Sequence, residues 1–181
     1  MNLDTIVTAP LIAADRFDLR PVRVSDAGLI AFYAGDERVA RHTTSIPHPL
    51  PPGTAEAFVE RVMDPDHAED VWVIDGTRTG GAEVMGLIGL TRMDRDQSEI
   101  SYWVAPAYWN SGVASAAVEA ILQANPQQSQ AIFGSVFQDN AASARVLTNC
   151  GFQYLGDAES FSVARNAKVP TWTYSRVCTD A

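Results

Sequence analysis

Apolar and polar positions alternate at Phe17-Asp18-Leu19-Arg20-Pro21-Val22, which predicts a first strand ending near Pro21, with Leu11–Asp15 leading in. Ser25-Asp26 stand before the apolar run Ala27–Ala34, the pattern of a capped helix, and Asp36–Ala40 adds a short one. A polar, proline-rich loop follows from His42 to Gly53. Its prolines bar helix and central-strand pairing. Thr54 then opens a helix over Ala55–Met63. Ala55, Phe58, Val59 and Val62 form one stripe, and Pro65 lies past the end.

The period then changes to that of strands. Val71–Ile74 is a short apolar run, Asp75-Gly76 and Gly80-Gly81 mark a turn, and Val84–Leu90 returns. Arg92–Asp96 turns again into Glu99–Val104, rich in aromatic and β-branched residues. These three strands make an antiparallel meander. Pro106 stops the third. From Gly112 the period is helical, with Val113, Ala117, Ile121 and Ala124 in register. Ala131–Val136 is a buried-type strand, and a strand–helix–strand unit of this length predicts parallel strands with a right-handed crossover. Asp139-Asn140 cap a second helix, Ala141–Asn149, with Gly151 as its stop. Phe152–Leu155 and Thr171–Val177 supply the last strands. The sum is an α/β fold with a mixed sheet, an antiparallel meander followed by a parallel βαβ core, in one domain over residues 1–181.

Between the third strand and its helix lies Trp109-Asn110-Ser111-Gly112-Val113-Ala114-Ser115. A helix start carries unpaired N–H groups and partial positive charge, and small residues let an anion approach. The same pattern also fits an ordinary strand–turn–helix packing unit. The stretch Glu99-Ile100-Ser101-Tyr102-Trp103-Val104, then Pro106, then Tyr108-Trp109-Asn110-Ser111-Gly112-Val113-Ala114 resembles the acetyl-CoA signature of the GNAT N-acetyltransferases. It is similar in particular to the ribosomal-protein N-terminal (Rim-type) branch. Trp109 occupies the Gln/Arg slot of the general pattern, and Ser101 replaces a glycine common in that branch. Leu19-Arg20-Pro21, the helix Asp139-Asn140-x-x-Ser143-x-Arg145-Val146-Leu147 and Cys150-Gly151-Phe152 resemble the same branch, so the likeness runs from about Phe17 to Val177.

The resemblance implies a GNAT-like fold with splayed central strands. It implies that the amides of Asn110, Ser111, Gly112, Val113, Ala114 and Ser115 cradle the pyrophosphate of CoA beside Trp109. Backbone groups of Tyr102, Trp103 and Val104 would pair with pantetheine and the thioester, like an added strand. Asn140 would contact pantetheine and Arg145 a phosphate, with Ser143 between them; capping and a solvated helix face are the plain alternatives. Glu99 would be the base that frees the amine of its proton, or a solvated glutamate that attracts a cation. Tyr154 would protonate the leaving thiolate, or serve packing.

Composition narrows the partners. Of 181 residues 13 are basic and 22 acidic, a net charge of −9. That balance disfavours a nucleic-acid binder and favours a cationic partner such as an amine, though it also serves solubility. No run approaches the ~20 apolar residues of a membrane span, and MNLDTIVTAPLIAADRF has no basic region followed by an apolar core; both point to the cytoplasm. Cys150 and Cys178 lack metal-type spacing. The expectation is an acetyl-CoA-dependent N-acetyltransferase without a metal, acting on a peptide N-terminus or a small amine, as a monomer or homodimer. The rival expectation is a domain that binds acyl-CoA without turnover, as a sensor or scaffold. Acceptor specificity is expected in the loops around Arg41–Gly53 and near Phe161–Pro170.

Overall fold

The computed structural model describes residues 9–178. The strands are β1 (Ile12–Ala13), β2 (Asp18–Pro21), β3 (Glu69–Asp75), β4 (Gly86–Met93), β5 (Gln97–Val104), β6 (Ala131–Phe137), β7 (Gln153–Ser162) and β8 (Ala167–Val177). The helices are α1 (Ala27–Ala34), α2 (Glu37–Ala40), α3 (Thr54–Met63), α4 (Val113–Ala124) and α5 (Ala141–Asn149). All eight strands form one sheet in the order β1-β2-β3-β4-β5-β6-β8-β7. The β3–β4–β5 meander is antiparallel and the β5–β6 pair is parallel. The expected mixed α/β architecture is therefore the observed one.

Helices cover both faces. Trp72, Ile74, Ile88, Leu90 and Ile100 pack with Val113, Ala117 and Ile121 of α4 and Leu147 of α5. On the other face Val71, Val73 and Leu87 pack with Ile30 of α1 and Ala55 and Val59 of α3. Burial from two sides explains why β3 carries an unbroken apolar run rather than an alternation. Each fully buried Leu, Ile or Phe contributes about 1.5–3 kcal/mol.

The sequence expectations fail at two points of the fold. Asp26 does not cap α1: its side chain accepts from the Arg23 amide and from Arg20 instead. The segment Phe161–Pro170 is not a loop. β7 runs on to Ser162, β8 begins at Ala167, and only residues 163–166 turn. Pro170 is tolerated because its carbonyl faces Gln138, whose amide donates to it at 3.0 Å. Its missing N–H points to that same side, past the end of β6, so the ladder to β7 loses nothing. Cys150 and Cys178 are both free thiols, and burial lifts Cys150 to about 11.

Candidate active site

The parallel ladder between β5 and β6 lasts for three residue pairs, Gln97–Ala131, Ser98–Ile132 and Glu99–Phe133, and then stops. Beyond Glu99 the two strands diverge. The lower end is pinned: Ser98 Oγ donates to Gln127 Oε1 at 2.5 Å and bonds Ser129, while Gln127 Nε2 donates to Asp70 at 2.8 Å and to the Leu90 carbonyl at 3.0 Å. With Ser98 turned into the α4 side, alternation turns Glu99 to the α1/α3 side.

A cavity of about 1030 Å³ passes through the opening and is lined from both faces of the sheet. Because the Ala105 amide bonds the Met85 carbonyl, the odd-numbered residues of β5 spend their backbone groups on β4. The even-numbered ones face the gap. Tyr102 and Val104 thus present backbone groups there, whereas those of Trp103 are used on β4 and only its side chain lines the cavity. The Val104 carbonyl is taken by Trp109, whose Nε1 donates to it at 2.7 Å. Tyr102 spans the gap by its hydroxyl, which accepts from Ser143 Oγ at 2.9 Å and donates to the Ser143 carbonyl at 3.2 Å. Burial pushes its pKa up, so it stays neutral.

At the upper end, α4 starts without a side-chain cap. Gly112 sits at φ 79°, a left-handed conformation suited to glycine, and Asn110 at φ 56°. The first amide bonded within the helix is that of Ala116, to the Gly112 carbonyl. Those of Val113, Ala114 and Ser115, all residues of the cavity lining, have no partner among the described residues. Arg16, absent from the sequence candidates, donates to the Ser111 carbonyl at 3.0 Å. Arg38 lies 5.8 Å from the Trp109 ring centroid, so a cation stands beside the loop although the Gln/Arg slot holds tryptophan. α5 is capped by Asn140, whose Oδ1 accepts from the Ser143 amide at 3.3 Å, leaving its Nδ2 free to donate. Asn140, Ser143 and Arg145 all line the same cavity.

Tyr154 is not brought there. β8 lies between β6 and β7, so Tyr154 stands on the outermost strand, 56% exposed, with its hydroxyl donating to Asp157 at 2.6 Å. A proton-donating role at the gap is withdrawn on that geometry.

The α1/α3 side of the cavity carries three groups of note. Glu99 is exposed at the apex of the gap. Glu69, at the start of β3, was missed because the apolar run begins only at Val71. The register Glu69–Thr91–Glu99 puts both side chains on one face, with their backbones two strands and so about 10 Å apart. Burial raises the Glu69 carboxyl above the ordinary range, with His67 and Arg61 pulling it back only in part. His42 lines the cavity under the proline-rich loop, with its Nδ1 buried and unpartnered. Burial lowers its pKa, since protonation would place an N–H where no acceptor stands. The rim is tied together by Arg165 of the β7–β8 turn, which donates to Asp139 at 2.6 Å and to the Arg41 carbonyl at 2.9 Å. Among the described residues no three His, Cys, Asp or Glu side chains converge as metal ligands, and no helix is long and apolar enough to cross a membrane.

Residues 16–153 match the family model of the acetyltransferase (GNAT) domain. The chain belongs to the GNAT acetyltransferase family. It is thus an acetyltransferase enzyme. A GNAT relative, the uncharacterized N-acetyltransferase YoaA of Bacillus subtilis, is 24% identical over 173 residues, 93% of this chain and 97% of that protein. Among solved GNAT structures, an acetyltransferase from Bacillus anthracis superposes with a TM-score of 0.79 at 20% identity, covering 94% of this chain and 100% of that one. RimL, a ribosomal L7/L12 α-N-protein acetyltransferase in complex with CoA, superposes with a TM-score of 0.81 at 14% identity, again over 94% and 100%. These likenesses establish the GNAT fold.

Proposed function

We propose that this chain, as one domain, moves an acetyl group from acetyl-CoA to a primary amine by direct attack within a ternary complex. The observation that carries this reading is the broken β5–β6 ladder. It leaves a strand-shaped opening with unpaired helix amides at one end and carboxylates at the other, on the far face of the sheet. The pyrophosphate would meet the amides of Val113, Ala114 and Ser115. Pantetheine would lie along Tyr102 and Val104, reached by Asn140 Nδ2, and the thioester would rest near the apex. An aimed backbone N–H there would stabilise the oxyanion of the tetrahedral intermediate. RimL is a structure with CoA bound, which supports the same ligand here. Glu99 stands where an approaching ammonium group enters, and the negative net charge draws cations toward it. The acceptor is a peptide N-terminus or a small amine, and the Rim-type resemblance favours the peptide.

The test is acetyl-CoA calorimetry on the wild type and on Ser115→Glu, followed by thiol release with peptides and polyamines. Ser115 is the third residue of α4, where a carboxylate suits the helix but opposes a phosphate. The expected result is wild-type binding weakened about tenfold or more, about 1.4 kcal/mol, in a variant that melts no earlier. Equal binding by the two proteins removes the phosphate from α4. Binding without thiol release across the amines favours the acyl-CoA sensor.

A further inference from the structure

We propose that Glu69 takes the proton from the acceptor's ammonium group before attack, while Glu99 draws that cation to the apex of the gap. The inference rests on the acetyltransferase reading above and assigns its proton acceptor. Gly89 and Ser101 are cross-strand partners on β4 and β5, two residues inside the apex. Neither has a bulky side chain, so they form a pit in the α1/α3 face, directly beside the place where the ladder opens. Glu69 leans into this pit: its Oε1 lies 2.9 Å from where a β-carbon on Gly89 would stand. The carboxylate has no hydrogen-bond partner among the described residues, although half-buried carboxylates ordinarily acquire one.

The charged surroundings leave the group available. Arg61 on α3 faces it without bonding, lying instead over the Phe58 ring at 5.4 Å. His67 bonds the Glu69 backbone rather than its carboxylate. Asp70 points to the opposite face, toward Gln127. From β4 the register partner is the uncharged Thr91, and from β5 it is Glu99. A carboxyl lifted by burial is a better proton acceptor than an exposed one, because catalytic bases work best near the operating pH. Glu99 is the exposed one.

The step balances. R–NH3⁺ gives one proton to the Glu69 carboxylate and becomes R–NH2. The nitrogen lone pair forms the N–C bond to the thioester carbon, the C–S bond breaks, and its electrons leave on sulfur. The nitrogen, now bearing two hydrogens and a positive charge, passes one to the thiolate, giving amide and CoA thiol. Glu69 releases its proton to water.

The test is thiol release from acetyl-CoA between pH 6 and pH 10, with the peptide Ser-Ala-Ala and with spermidine, for the wild type, Glu69→Gln and Gly89→Ala. The wild-type kcat/KM should fall less steeply toward low pH than that of Glu69→Gln. Glu69→Gln should bind acetyl-CoA as the wild type does and lose about 100-fold in kcat/KM near pH 7. With the peptide the loss should shrink to about tenfold or less by pH 10, where its α-amino group is neutral unaided, while with spermidine, whose alkylamines still carry protons there, it should shrink less. A variant equal to the wild type at pH 7, or a deficit with the peptide unchanged from pH 7 to pH 10, overturns the assignment. Should Glu69→Gln not fold, Gly89→Ala decides, because its β-carbon displaces the carboxylate without removing it. A deficit that closes at high pH supports the proposal, and unchanged kinetics overturn it. Failure of the wild type to bind acetyl-CoA, or to release thiol with either amine, overturns the acetyltransfer reading itself and this assignment with it.

Discussion

Two acidic regions of the sheet differ in what they face. At one, Arg20 is 3% exposed and stands between two carboxylates: Nε donates to Asp75 at 2.6 Å, and the two terminal nitrogens donate to Asp26 at 2.9 and 2.8 Å. The bonds it donates to Asp26, opposed by burial, hold Arg20 firmly protonated. Burial pushes Asp75 up, but bonds from Thr77 and from Arg20 outweigh it and hold the carboxyl below the ordinary range. At the other, Glu69 and Glu99 share a face, line a cavity and bond no cation among the described residues. The first region is complete without a ligand. The second offers its carboxylates to the cavity, and on the proposal above this difference separates a carboxylate that builds the fold from one that serves a substrate.

Breaking the first region should have the largest effect on stability. Arg20→Leu leaves the buried carboxylates of Asp26 and Asp75 without their shared cation and should cost about 3–5 kcal/mol, read as a lower urea midpoint. Glu69→Gln should change the same midpoint by less than about 1 kcal/mol, because no bond within the protein is lost. If both variants unfold equally early, the contrast between the regions fails.

A smaller effect sharpens the comparison through pH. The folded pKa of His42 lies below its unfolded value of about 6.5, so the unfolded chain binds more protons as pH falls past that point. Stability should therefore decline from pH ~6.5 downward through the folded pKa, and His42→Gln should flatten that limb of a denaturation series. Imidazole NMR should find the ring neutral at pH 6.5; a ring mostly protonated there would refute the burial argument. Smallest of all, Tyr154→Phe should leave kcat within about twofold, since its hydroxyl bonds Asp157 on the edge strand. A hundredfold loss would return Tyr154 to the mechanism.

Much of this was legible in the residues. The meander, the helix from Gly112 and the βαβ core follow from runs such as Val71–Ile74 and from glycine and proline placement, which act locally. The loop Asn110–Ser115 carries its own signature, because a tight approach of backbone to ligand demands small side chains in sequence. Glu69 was not legible. Its place on the same face as Glu99, two strands away, follows from a register that no local pattern encodes. Tyr154 was misread for a related reason: β8 inserts itself between β6 and β7, so proximity along the chain to the second helix does not become proximity to the gap. Asp26 sits where a cap belongs, but its partner Arg20 is recruited by β2 lying next to β3 and Asp75.

The short β5–β6 ladder also bears on how the sheet deforms. Mechanically the protein is two plates, five strands and three, welded along a seam three residue pairs long. Above the weld the plates are bridged by side chains such as the Tyr102–Ser143 pair, which can slide, rather than by a backbone ladder, which cannot. A scissoring of one plate against the other about Glu99 and Phe133 therefore stretches no backbone ladder above the weld, and its largest displacement would fall at the far end of the wedge, next to Trp109.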